Sequence, residues 1–109
     1  MRLFVYGTLL VPDIQRRVLG RELAGQTASA SGYECRQLAD TPYPIAVAAP
    51  EAILKGMLVD VHAKEWPILD DYEGSCYQRR VISAQVGSET EEAWCYLASP
   101  KGQASTRPL

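Results

Sequence analysis

Glu73 is the residue of this chain whose setting most suggests chemistry. It closes the stretch Leu69-Asp70-Asp71-Tyr72-Glu73-Gly74. At about 100° per residue, Trp66, Leu69 and Glu73 fall on one side of a helix predicted over 63–72, while Asp71 points to solvent. A carboxylate that shares a face with Trp and Leu is desolvated unless something pairs with it. Desolvation raises its pKa and suits it to work as a general base near neutral pH. The plainer reading is a half-exposed helix-end Glu, or one that caps a backbone N–H, since Glu is seldom fully buried.

Four further groups qualify. Tyr6-Gly7-Thr8-Leu9-Leu10 runs from a strand into a glycine and a short loop. There Gly7 permits a positive φ and a close approach of ligand to backbone, and successive N–H groups can form an anion-binding concavity. No Gly-Lys-Ser/Thr follows, so this is not a Walker motif, and an ordinary turn fits the same residues. Tyr77 and Arg79 share a strand face shortly after Glu73, able either to meet a carboxylate or to form an ordinary cross-strand ion pair. Tyr43-Pro44 puts an aromatic ring on a stiff loop, which can wall a pocket or simply pack on the core. Cys76 would need a base, and His62 is the only histidine. A thiol without a thiolate-stabilising site behaves as a small apolar residue.

The elements that must hold these groups are short. Residues 2–6 read as a buried strand ended by Gly7, and Pro12-Asp13 opens a helix through Leu19 that Gly20 stops. Residues 23–38 hold one or two strands broken at Gly25 and Gly32. Residues 40–44 form a loop, because Pro42 and Pro44 cannot both sit in a ladder. Strands are expected over 45–48 and 53–61, then the 63–72 helix with Pro67 in or near its first turn. Strands over 77–86 and 92–97 are joined by a hairpin at 87–91. Residues 99–109 read as a flexible tail. Helices and strands do not alternate, which disfavours a doubly wound parallel sheet. An α+β fold is expected: a small mixed or antiparallel β-barrel with short flanking helices, in one domain spanning 1–109.

The totals agree with one globular domain. The chain has 109 residues, 47% hydrophobic and 22% charged, with a formal net charge of −2. That length buries about 60–70% of the unfolded surface. No basic stripe invites nucleic acid, no apolar run spans a membrane, and the apolar N-terminal run is too short for a secretory leader. A cytoplasmic protein is expected. Three widely spaced cysteines and a single histidine offer neither a disulfide framework nor a metal ligand set. No metal and no cofactor are expected.

In their order, Val5-Tyr6-Gly7-Thr8-Leu9, Tyr43-Pro44, Lys55-Gly56-Met57-Leu58-Val59-Asp60-Val61, Leu69-Asp70-Asp71-Tyr72-Glu73-Gly74 with Tyr77 and Arg79, and Trp94-Cys95-Tyr96-Leu97 resemble the γ-glutamyl cyclotransferase-like family. The Gly-Thr-Leu form of the first motif looks closer to the γ-glutamylamine cyclotransferase branch. The resemblance implies a small β-barrel with a central cavity. It implies that the backbone of Tyr6, Gly7, Thr8 and Leu9 cradles a γ-glutamyl group and that Glu73 is the acid/base; Tyr43, Tyr77, Arg79 and Tyr96 are second-tier candidates for the pocket. The implied reaction turns a small γ-glutamyl amide into 5-oxoproline and a free amine, with no cofactor. The leaving amine and the oligomeric state stay open. One departure is the little chain left after Leu97 to cover a cavity. The alternatives are a non-catalytic module that binds a small molecule in the same cavity, an interaction protein pairing through its barrel edge, and a thiol enzyme using Cys76.

Overall fold

The computed structural model describes residues 1–108. Its strands are β1 (Leu3–Val5), β2 (Gly25–Leu38), β3 (Pro44–Val59), β4 (Tyr77–Val86), β5 (Glu89–Ala98) and β6 (Thr106–Arg107). Its helices are α1 (Pro12–Leu19), α2 (Trp66–Glu73) and α3 (Pro100–Gln103). Single 3₁₀ turns cover Thr8–Leu10 and Ala63–Glu65. The sheet order is β1-β3-β5-β4-β2-β6, and the further pairings β1–β5 and β3–β2 close five strands into a barrel. β1 lies parallel to β5 and antiparallel to β3, so the barrel is mixed. This is the fold class the sequence implied.

β1 works on both of its faces because side chains alternate across a strand. Phe4 points into the barrel, where Ala28, Ala30, Leu54, Leu58 and Ile82 surround it. Small interior residues make room for its ring. A Cβ on Gly56 would lie 2.9 Å from Phe4 Cζ and 2.1 Å from Val5 O. Leu3 and Val5 face outward and meet Leu9, Leu69 and Tyr96 beneath the helices. Each such fully buried side chain contributes about 1.5–3 kcal/mol.

α1 begins at Pro12 and ends at Gly20, whose φ of +75° is the left-handed stop that glycine adopts freely. At its exit Arg21 forks onto Glu65, with Nη2 and Nε at 2.7 and 2.9 Å from the two carboxylate oxygens. Glu65 also accepts the His62 N–H at 2.8 Å. Burial would oppose the charge on Glu65, but the Arg21 guanidinium prevails and holds its pKa down at about 2.

Several element boundaries differ from the sequence reading. The hairpin expected at 87–91 turns within residues 87–88, so β5 begins at Glu89 and not at 92, and Pro44, expected in a loop, is the first residue of β3 and pairs with Gln37. The strands expected over 45–48 and 53–61 are one strand, β3. Its register against β2 steps from Ser31↔Ile53 to Tyr33↔Ala48, so residues 49–52 have no partner on β2. Pro50 sits in that unpaired stretch, where its missing N–H is not needed. Gly32, at φ +92°, lets β2 pass the irregularity without breaking. The helix expected over 63–72 divides into the 3₁₀ turn and α2, with Pro67 in the first turn of α2. Residues 99–109, expected to be a flexible tail, carry α3 and β6 through Arg107. β6 pairs with Gln37 and Leu38 of β2. The tail reading failed because these contacts join residues far apart in the chain. Leu109 lies outside the described residues. No helix among the described residues is long and apolar enough to cross a membrane.

Candidate active site

A cavity of about 320 Å³ opens where the C-terminal end of β1, the end of α2 and the start of β3 meet. The loop after β1 supplies one wall. Tyr6, Gly7, Thr8 and Leu9 all line the cavity. The chain turns there into a 3₁₀ turn held by Leu10 N–H to Gly7 O at 3.0 Å. Among the described residues, the amides of Thr8 and Leu9 donate to no protein acceptor. Gly7 has φ −123°, not the positive value its type suggested. Its bare Cα is used for packing instead, since a Cβ there would lie 3.0 Å from Pro44 Cγ.

Glu73 forms the opposite wall as the last residue of α2. Leu69, one turn earlier, is wholly buried and anchors that helix face. Gly74 follows at φ +79° and turns the chain toward β4. Burial pushes the Glu73 carboxyl up to about 7. Among the described residues no hydrogen bond or ion pair reaches it. No sealed side-chain polar atom lacks a partner either, so this carboxyl opens onto the cavity. The apolar surroundings differ from those expected. Trp66 does not line the cavity; Phe4, Val5, Leu9 and the tyrosine rings do. Trp66 turns to Trp94, ring centroids 6.4 Å apart, with the Arg79 guanidinium 4.5 Å from the Trp66 ring centre.

The remaining pocket candidates divide. Tyr43, Tyr77 and Tyr96 line the cavity. Arg79 does not. It holds Asp70 through Nε and Nη2 at 3.1 and 3.2 Å and lies between Trp66 and Trp94, beside a second, shallower groove. The ion-pair alternative weighed for Arg79 is therefore the one seen, with a helix residue as partner. Tyr96 Oη donates to Asp70 Oδ1 at 2.7 Å.

The hydroxyls of two tyrosines are consumed in building the walls. Tyr6 Oη donates to Tyr96 O at 2.6 Å and accepts Ala46 N–H at 3.1 Å. Tyr77 Oη donates to Pro44 O at 2.7 Å. Burial raises the pKa of Tyr6, Tyr77 and Tyr96 above the ordinary phenol value, so none is an acid near neutrality.

Several lining residues were not among the expected pocket residues. Tyr72 sits about 100° around the helix from Glu73, yet it lines the cavity, with Oη 2.8 Å from Thr8 Oγ1. Leu38 arrives from the end of β2, Thr41 from the β2–β3 connection, and Ser75 and Cys76 from the turn after α2. Cys76 reaches the cavity but His62 does not, so no imidazole stands beside the thiol there. The arrangement is a mostly apolar hollow lined by one carboxylate and by a loop that carries two unused amides. That set can move a proton and hold an anionic oxygen.

Similar folds and a family match complete the description. A solution structure from Arabidopsis thaliana aligns with a TM-score of 0.80 at 27% identity over 92% of this chain, which spans only 62% of that protein. A structure described as gamma-glutamyl cyclotransferase has a TM-score of 0.80 at 12% identity, covering 98% of this chain and 68% of its own. An AIG2-like protein from Mus musculus has a TM-score of 0.62 at 21% identity, covering 95% and 82%. The last two share the fold. No curated protein matches the chain at a significant level. Residues 3–108 match the family model described as "Gamma-glutamyl cyclotransferase, AIG2-like", and the chain belongs to that family.

Proposed function

We propose that this protein converts a γ-glutamyl amide, preferably a γ-glutamyl amine, into 5-oxoproline and the free amine. The observation that carries the proposal is Glu73: a carboxyl without a protein partner, open to a cavity and poised at about 7. Among the described residues no Lys or Arg lines that cavity, which suits a leaving amine without a carboxylate of its own.

The substrate supplies both nucleophile and electrophile. Its α-ammonium gives a proton to Glu73, and the freed amine attacks its own γ-carbonyl carbon. The new C–N bond closes the five-membered ring and leaves an oxyanion. Collapse breaks the original C–N bond as the departing nitrogen takes the proton back from Glu73, and the ring nitrogen, which still carries two hydrogens, passes its surplus proton to the released amine, which leaves as an ammonium. No water enters the balance. Acid/base work of this kind contributes about 10²–10⁴-fold. Folding the flexible chain into the attacking geometry is the second contribution, and the rings of Tyr43, Tyr77 and Tyr96 supply the walls for it. The amides of Thr8 and Leu9 serve as donors to a substrate oxygen, either the oxyanion or the α-carboxylate.

The test is to incubate the purified protein with γ-glutamyl amines, γ-glutamyl amino acids and glutathione, and to measure 5-oxoproline. Release from the amine set supports the reading. Binding seen by thermal shift with no 5-oxoproline from any compound would replace it with a non-catalytic module using the same cavity.

A further inference from the structure

The turn that carries Glu73 into β4 is held from outside by the C-terminal segment. Ser99 makes two hydrogen bonds to that turn and a third within its own segment. Its N–H donates to Cys76 O at 2.9 Å, its Oγ donates to Ser75 O at 2.7 Å, and Oγ accepts Gly102 N–H at 3.1 Å. Ser99 is 7% exposed, so these bonds are shielded from water. Gly102 is equally committed, because a Cβ on it would lie 2.0 Å from Cys76 O. Lys101 adds Nζ to Ser75 Oγ at 3.2 Å. Ser75 and Cys76 both line the cavity, two and three residues after Glu73.

The far end of the same segment grips the other wall. Ala39 N–H donates to Ser105 O, and β6 pairs with Gln37 and Leu38. Arg36 Nε donates to Thr106 Oγ1 at 3.0 Å. Leu38, Thr41 and Tyr43 line the cavity on that side. The segment therefore ties together two cavity walls that are not adjacent in sequence.

We propose that residues 99–107 are a strap that sets the width of the cavity, and that Ser99 is the positioning residue through which it fixes the turn behind Glu73. Glu73 makes no side-chain bond of its own to a described residue, so its place depends on α2, anchored by Leu69, and on the turn that follows it. A displacement of about 1 Å at a reacting group costs up to about 100-fold in rate. Loosening the turn also admits water to the carboxyl and lowers its titration midpoint. Among the described residues no other carboxylate and no cation lines the cavity, so solvent access is what that midpoint reports.

The experiment compares Ser99→Ala, Ser99→Thr and wild type by two readouts. The first is the midpoint of Glu73 followed by carbon NMR on the labelled carboxyl, which needs no turnover. The second is kcat and KM on a γ-glutamyl amide, which rests on the reading of the site given above. Ser99→Ala is expected to lower the midpoint by about 1 unit and kcat by about 10-fold. Ser99→Thr keeps the hydroxyl and is expected to restore both. A midpoint unchanged in Ser99→Ala, with or without a lower Tm, overturns the strap, as does a Thr variant as defective as the Ala variant. Should Ser99→Ala not fold, Thr106→Val loosens the far end without touching Ser75 or Cys76. It is expected to shift the midpoint in the same direction by a smaller amount, and a wild-type midpoint there overturns the proposal. A midpoint that behaves as expected in a protein that makes no 5-oxoproline would sustain the strap and refute the enzyme.

Discussion

Thr8 Oγ1 and Tyr72 Oη lie 2.8 Å apart, joining the amide-bearing loop after β1 to the residue beside Glu73. The bond crosses from one wall of the cavity to the other and is open to solvent. Exposed hydrogen bonds contribute little to stability, about 0.5–1.5 kcal/mol at most. Its value lies in spacing the two walls. Tyr72→Phe is expected to lower kcat/KM for 5-oxoproline release by about 3–10-fold with a stability loss below about 1 kcal/mol. A double-mutant cycle with Thr8→Val, read by kcat/KM, should show clear coupling; additive effects would mean that the contact does not matter to turnover.

Glu73 also sets a trade between stability and chemistry. Its pKa rises from an ordinary 4.5 to about 7 on folding. Below 4.5 it is protonated folded or unfolded and has no effect. As pH climbs through 7, only the folded protein must bear a buried charge, so stability falls. Glu73→Gln removes that penalty and should be more stable than wild type by up to about 3 kcal/mol at pH 8, with no gain at pH 4. Chemical denaturation at the two pH values measures this. A variant less stable at both would show that the carboxylate is satisfied in the fold.

Glu65 runs the other way. Arg21 holds its folded pKa at about 2, below its ordinary 4.5. Its contribution is present above 4.5 and disappears as pH falls through 2. Glu65→Gln should cost about 2–3 kcal/mol at pH 7 and almost nothing at pH 2. Equal losses at both pH values, measured by urea unfolding, would contradict the ion pair's role. Glu65 does not line the cavity, so the pH dependence of turnover should not change.

Tyr6 illustrates a residue whose ring and hydroxyl have separate duties. The ring lines the cavity, while Oη joins Tyr96 O to Ala46 N–H. Tyr6→Phe keeps the wall but removes the bridge between the two backbone groups. A stability loss of about 1–3 kcal/mol is expected, with KM nearly unchanged at temperatures well below its Tm. A variant as stable as wild type, but with KM raised about tenfold, would place the hydroxyl on the substrate instead.

Much of this site was legible because its signals were local. α1 could be read to the residue from Pro12 and Gly20, and Glu73 declared itself by sharing a face with Leu69. The motifs of residues 5–9 and 69–74 then gave the family. What escaped notice was carried by distant pairings. Nothing near Ser99 in sequence says that it meets Ser75 and Cys76, so the end of the chain looked loose. Arg79 was expected at the substrate because its strand position allowed it. Its pairing with Asp70 and its stacking between Trp66 and Trp94 depend on where α2 crosses β4 and β5. Spacing along one strand does not encode that crossing. The same crossing draws Trp66 away from Glu73, leaving β1 and the tyrosines to desolvate the carboxyl.

The central claim is that Glu73 carries the proton in an intramolecular cyclisation. Its most direct test is the pH dependence of kcat/KM for 5-oxoproline release by wild type and Glu73→Gln. Wild type should rise to a plateau with a midpoint near 7, as the carboxylate that accepts the α-ammonium proton forms. The Gln variant, folded, should fall by at least about 100-fold and lose that midpoint. A Gln variant that turns over within a few fold of wild type and keeps the same pH profile would contradict the account.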